Sequence, residues 1–266
     1  MAEHTYTQFS TDLELVRSSF LRMGGVVETM INTAALALAD GDLALLEKVR
    51  THEKEVNQME VEIDEHISHV LARHQPAAID LRMLLAVSKM LTDMERCGDE
   101  AGKVASVTRR IYEGGSREMP LIELHHMASD VLDMLRQTLD AFARLDAVQA
   151  AEVVRRDKAV DREWKAALRH LITYMIEDPR TISRAIDMIF IARAIERIGD
   201  HAKNMAERVI YLVHGADVRH KGVKTAEREA RGEPDEDELK IKSILSGQRP
   251  VQDDGSSEEE VASDSK

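Results

Sequence analysis

Cysteine is nearly absent: Cys97 stands alone in 266 residues. That excludes an internal disulfide framework and a cysteine-built zinc site, and it suits a reducing cytoplasm. Aromatic residues make up only 3% of the chain. A sandwich or barrel needs more aromatic and β-branched strand residues, so an all-β fold is excluded. No apolar run approaches the ~18 residues of a membrane helix. The start, Met1-Ala2-Glu3-His4-Thr5, has neither the basic residues nor the apolar stretch of a signal peptide. Positive charge is also short: 36 Lys and Arg stand against 49 Asp and Glu, a net charge of -13. A general nucleic-acid binder needs a basic face, so that class is set aside. No Gly-rich loop follows a strand pattern, which removes the P-loop and the dinucleotide fingerprint. A cytoplasmic protein without membrane insertion is the expectation.

Proline and glycine are sparse as well, with 5 and 13 copies, and between them lie long stretches of helical period. The spacing predicts six helices. The first runs from about Phe9 to Ala39 and ends at Asp40-Gly41-Asp42. The second reaches His74 before Gln75-Pro76, and the third spans Ala78 to Tyr112 before Gly114-Gly115. A fourth starts near Pro120 and ends near Leu145. Asp146, three residues before Gln149, starts the fifth in the manner of a capping box. Asp178-Pro179 reads as N-cap and first turn of the sixth, which closes at His214-Gly215. Leu81, Leu84, Leu85, Ser88, Leu91 and Met94 form one expected buried face, and Ile182, Ala185, Ile186 and Ile189 another. Trp164 and the thirteen methionines are expected in core or dimer contacts. Helices this long with short links make antiparallel bundles. After Gly215 the composition changes: residues 231–266 hold five Lys or Arg against eleven Asp or Glu. Residues 216–266 are therefore expected to be an acidic, disordered tail.

The chain repeats itself. Glu95-Arg96-Cys97-Gly98-Asp99-Glu100-Ala101 returns as Glu196-Arg197-Ile198-Gly199-Asp200-His201-Ala202, at an offset of 101. Upstream, Glu53-Lys54-Glu55-Val56-Asn57 matches Asp157-Lys158-Ala159-Val160-Asp161, at an offset of 104. The expected organisation is all-α: two pseudo-symmetric three-helix bundles, residues 1–115 and 116–215, followed by the tail at 216–266.

Residues four apart share a helix face, so Glu95 projects with Asp99 and Glu196 with Asp200. Like charges at that spacing cost roughly 0.2–0.5 kcal/mol, and a glycine inside a helix about 1 kcal/mol. Both repeats carry both penalties, and local rules broken without structural return point to function. Facing carboxylate pairs would make an oxygen-rich site for a hard cation. Composition alone gives about nine acid pairs at this spacing, so one pair means nothing and only the repetition counts. Two other accounts stay open: a solvated face balanced by Arg96 and Arg197, and glycines that serve only close helix approach. His52 and His201 lie beside the acids, as ligands or as surface histidines. Only one Glu-x-x-His pair, Glu123 with His126, is found where a di-iron bundle oxidase needs two.

At these residues the sequence resembles the PhoU family of bacterial phosphate uptake, whose E(D)xxxD motif marks two helices of each repeat. Here the motif reads Glu95/Asp99, Asp157/Asp161 and Glu196/Asp200. The fourth instance departs from it, because Glu53 is followed at plus four by Asn57. The neighbouring pair Glu60 and Asp64 is the second choice for that place. The resemblance spans about residues 4–220 and includes Met23-Gly24-Gly25-Val26-Val27-Glu28 and Val213-His214-Gly215-Ala216-Asp217; the acidic tail inherits nothing from it.

The resemblance implies a cytoplasmic, non-enzymatic homodimer, peripheral to the inner membrane. It implies negative regulation of phosphate-starvation signalling and high-affinity phosphate uptake. The implied partners are the ATPase subunit of the phosphate ABC transporter and a phosphate-sensing histidine kinase. It also implies metal ions (Fe, Zn, Mn or Mg) on Glu53, Asn57, Glu95, Asp99, Asp157, Asp161, Glu196 and Asp200. A metal-dependent phosphoester hydrolase and a metal-free helical adaptor are the alternative readings of the same residues.

Overall fold

The computed structural model describes residues 2–114, 122–219 and 221–233. The six long helices are α1 (Ala2–Asp40), α2 (Leu43–His74), α3 (Ala78–Glu113), α4 (Ile122–Arg144), α5 (Ala147–Glu177) and α6 (Ile182–His214), and a short α7 (Val223–Ala230) follows. The punctuation acts as local chemistry requires. Asp42 accepts from the Ala44 amide, and Asp146 accepts from the Gln149 amide at 2.9 Å, each satisfying a free donor of a first turn. Asp178 caps a single 3-10 turn, Pro179–Thr181, before α6 begins. Gly215 ends α6 at φ 78°, a left-handed conformation glycine adopts without a Cβ clash. The expected start of the fourth helix near Pro120 lies outside the described residues.

Helices α1–α3 and α4–α6 form the two three-helix repeats, and α3 packs most extensively on α6, so the third helix of each repeat builds the junction. There Glu100 accepts from Arg197 at 3.2 Å, and Cys97 sits with its sulfur 3.9 Å from the Ile198 carbonyl. Helices α1 and α4 also meet, with Phe20 edge-on to Phe142 at 5.2 Å between ring centroids. Methionines fill much of the core: Met23, Met30, Met90, Met94, Met127, Met134 and Met188 are fully buried. Their unbranched, polarizable side chains adapt to irregular gaps between long helices. Each such side chain contributes about 1.5–3 kcal/mol of burial.

The buried stripes differ in part from the sequence expectation. Leu84, Leu91 and Met94 are buried as expected, but Leu85 is exposed, and so are Ile182 and Ile186. On α6 the inward stripe is Ala185, Met188, Ala192 and Ile195. Spacings of three and four fit two adjacent stripes, and the one bearing alanines admits the closer helix approach. A second difference concerns residues 216–232. Val218, Ala226 and Ala230 are buried, α7 packs on α5 and α6, and His214 Nε2 lies 3.2 Å from the Ala230 carbonyl. The helical unit therefore extends to Gly232, and the remainder of the expected tail, 234–266, lies outside the described residues. Among the described residues no helix is long and apolar enough to cross a membrane.

Candidate functional site

Both repeated glycines mark close helix approach. A Cβ built on Gly98 would lie 3.3 Å from Val56 of α2, and one on Gly199 would lie 3.3 Å from Val131 of α4 and 3.5 Å from Val160 of α5. Because α2 lies tight on α3, and α5 on α6, their acids face one another.

In the first repeat Glu95 and Asp99 stand half-buried on α3, opposite Glu53 and Glu60 of α2. Burial, and then the charge of Asp99, push Glu53 above the usual carboxylate range. Burial, Asp99 and Glu60 do the same to Glu95, and burial, Asp64 and Asp99 to Glu60. Arg96 lies 3.5 Å from Glu95 and 3.6 Å from Asp99, and the charge of Arg50 partly offsets the rise at Glu53. Asn57 is exposed, whereas Glu60, the second choice from sequence, is half-buried and its charge acts on Glu95. Glu53 and Asp99 open onto a groove of about 630 Å³, whose walls include Arg50, Lys103, Ser106 and Arg109.

In the second repeat Asp157, Asp161, Glu196 and Asp200 come together. Glu196 is 5% exposed and Asp157 6%. Burial, helped by Asp200, pushes Glu196 up to about 7. Burial and then Asp157 raise Asp200. Two cations of α6 enter this cluster, and sequence spacing did not single them out. Lys203 donates to Asp157 at 2.7 Å, and Arg193 donates to one Glu196 oxygen. The other, Glu196 Oε2, is buried without a hydrogen-bond partner. Trp164 packs beside the core with Arg193 5.9 Å from its ring centroid.

The remaining candidates lie elsewhere. His201 Nδ1 pairs with Asp93 of α3 at 2.9 Å and so belongs to the junction of the repeats. His52 Nδ1 is buried without a hydrogen-bond partner. Cys97 is fully buried, and burial pushes its thiol well above the ordinary range. The Glu123 side chain lies outside the described residues.

The donor set fits a hard or borderline cation. Mutually repelling carboxylates above their usual range, and an orphaned buried oxygen on Glu196, mark unmet negative charge. The two clusters differ in how much of that charge the protein meets itself. In this arrangement neither brings three carboxylate oxygens within 4.8 Å of one another among the described residues.

The PhoU domain family matches residues 20–108 and 124–209, one match in each three-helix repeat. A Pseudomonas putida protein, named phosphate-specific transport system accessory protein PhoU homolog, is 48% identical over 232 residues; the match covers 87% of this chain and 91% of the relative. The homolog of the same name from Pseudomonas aeruginosa is 50% identical over 236 residues, covering 88% and 98%. The crystal structure of PhoU from Pseudomonas aeruginosa superposes with a TM-score of 0.76 at 51% identity, covering 78% of this chain and all of that one.

Proposed function

The chain belongs to the PhoU family, and we propose from that membership that it is an accessory protein of a phosphate transport system. In this reading it restrains high-affinity phosphate uptake and keeps phosphate-starvation signalling off while phosphate is plentiful. It does so as a cytoplasmic homodimer, by contact with the ATPase subunit of the phosphate ABC transporter and with a phosphate-sensing histidine kinase. The role is one of coupling, without catalysis. The observation that carries the reading is the pair of family matches, each coinciding with one helical repeat and one carboxylate cluster.

The architecture suits such a task. Helices of 23 to 39 residues present long continuous faces, which partner helices read through grooves and charge complementarity. In the first repeat Glu53, Glu60, Glu95 and Asp99 would hold a cation; in the second, Asp161, Glu196 and Asp200 would, with Asp157 already engaged by Lys203. A bound divalent ion supplies positive charge that relieves carboxylate repulsion and ties the two helices of the pair together. Without such an ion, Arg96 in one cluster and Arg193 and Lys203 in the other hold the acids in place.

Deletion of the gene in the source organism tests the reading, with alkaline phosphatase activity measured during growth in excess phosphate. High activity, returned to the repressed level by the wild-type gene, is the expected result. Activity that stays low in the deletion strain would overturn it.

A further inference from the structure

Sequence spacing left His126 with an incomplete partner set. The structure gives it another. His126 and Asp130 stand one turn apart on α4, and Glu163 reaches them from α5. His126 Nδ1 lies 3.4 Å from Asp130 Oδ2 and 3.5 Å from Glu163 Oε2, and the three ligand atoms lie within 4.8 Å of one another. Among the described residues this is the one set of three such groups that converges so closely. We propose that His126, Asp130 and Glu163 bind a single transition-metal dication of the zinc class, with the fourth coordination position open to solvent.

The spacing favours coordination over hydrogen bonding. An N–H···O bond spans about 2.7–3.2 Å, shorter than either separation here. A tetrahedral ion with bonds of about 2.0–2.1 Å separates its ligands by about 3.3–3.4 Å, close to both separations from His126, and the two carboxylate oxygens lie within 4.8 Å of each other. The donor set is one imidazole nitrogen and two carboxylate oxygens. Calcium and magnesium take oxygen donors, and soft ions take sulfur, so this mixture selects zinc and its first-row neighbours. The His126 side chain is 70% exposed, which leaves the fourth position to water. Arg156 approaches Asp130 at 3.6 Å, but on Oδ1, leaving Oδ2 to the site.

The site is separate from the carboxylate clusters. Glu163 follows Asp161 by two residues, about 200° around α5, so the two acids point to different neighbours. The site is also not part of the repeated scaffold. Met23, Val27 and Met30 of α1 correspond to Met127, Val131 and Met134 of α4 at an offset of 104, and all six are buried. The same offset puts Arg22, Val26 and Met59 at the places of His126, Asp130 and Glu163. The first repeat folds with no ligand at any of the three, so folding does not account for the set in the second.

The full chain, stripped by chelation, is titrated with Co2+ and then Zn2+ while visible absorption is followed. The wild type is expected to give the intense spectrum of four-coordinate Co2+, bleached by one equivalent of Zn2+. His126→Ala and Glu163→Gln are expected to lose that spectrum and one Zn2+ equivalent, while His125→Ala keeps both. His126 is exposed, so its variant should fold, and circular dichroism checks this. A wild type giving only the weak six-coordinate spectrum would overturn the proposal. So would an undiminished signal in folded His126→Ala.

Discussion

Lys203 reaches Asp157 with its ammonium at 2.7 Å, and the residue at its place in the first repeat, 101 positions earlier, is Gly102. A Cβ on Gly102 would lie 2.8 Å from Glu53 Oε1, the acid equivalent to Asp157. The two clusters are thus built on one plan but balanced differently. The second carries its own ammonium, and the first leaves Glu53 open to the groove.

Removing that ammonium while keeping its stem, by Lys203→Met, leaves Asp157 buried without its counter-charge. Breaking a buried pair from one side costs about 3–5 kcal/mol, and Lys203 is partly exposed, so a loss near about 3 kcal/mol is expected. In a chain of this size that lowers the melting temperature by roughly 6–12 °C. A divalent cation such as Mn2+ should restore more stability to Lys203→Met than it adds to the wild type. Equal Mn2+ effects on both proteins would show that Lys203 does not occupy a cation's place.

Glu196 gives the second cluster a pH signature. Its carboxyl is raised from 4.5 to about 7 by burial, with Asp200 contributing. Between those values the folded chain holds a proton that the unfolded chain has released, so this group's contribution to stability falls as pH rises through the window and is flat above it. Glu196→Gln keeps the acceptor for Arg193 and removes the charge. Its melting temperature relative to wild type should climb between about pH 4.5 and 7 and then level off, by about 2–4 °C for each kcal/mol relieved. A difference between the two proteins that does not change with pH in metal-free buffer would contradict this.

The helix ends were legible in the sequence because their chemistry is local. Asp146, Asp178-Pro179 and Gly215 each act within three or four residues of themselves. The repeated acids were legible for the same reason, since a spacing of four defines a face. Choosing between Asn57 and Glu60 required the register of α2 against α3, which no spacing within α2 encodes. Lys203 was hidden by its reach: a long side chain finds an acid 46 residues away. The buried start of the presumed tail was hidden by composition, because Val218, Ala226 and Ala230 are isolated among polar neighbours.

Cys97 is expected to be chemically silent. It is fully buried at the α3–α6 junction, and burial, with Asp93 and Glu100 adding to it, disfavours the thiolate that reacts. A disulfide reagent at mild alkaline pH should titrate no thiol in the native protein and one after denaturation. Rapid reaction of the folded chain would place the thiol at a surface that opens in solution.

The repeated glycines separate two effects of a side chain. Alanine in place of a helical glycine gains about 1 kcal/mol of helix propensity. Against that, a Cβ on Gly98 meets Val56 at 3.3 Å, and one on Gly199 meets Val131 at the same distance, so each valine must give by a few tenths of an ångström. The two terms nearly cancel, and Gly98→Ala and Gly199→Ala are expected within about 1 kcal/mol of wild type. Valine at either place adds two methyl groups where the neighbouring helix has no room and should cost about 1–3 kcal/mol. It should also separate α2 from α3, or α6 from both α4 and α5, drawing the facing carboxylates apart. Gly199→Val is therefore expected to lose the Glu196 pH signature along with stability. A valine variant as stable as the alanine one would show that these glycines do not set the helix separation.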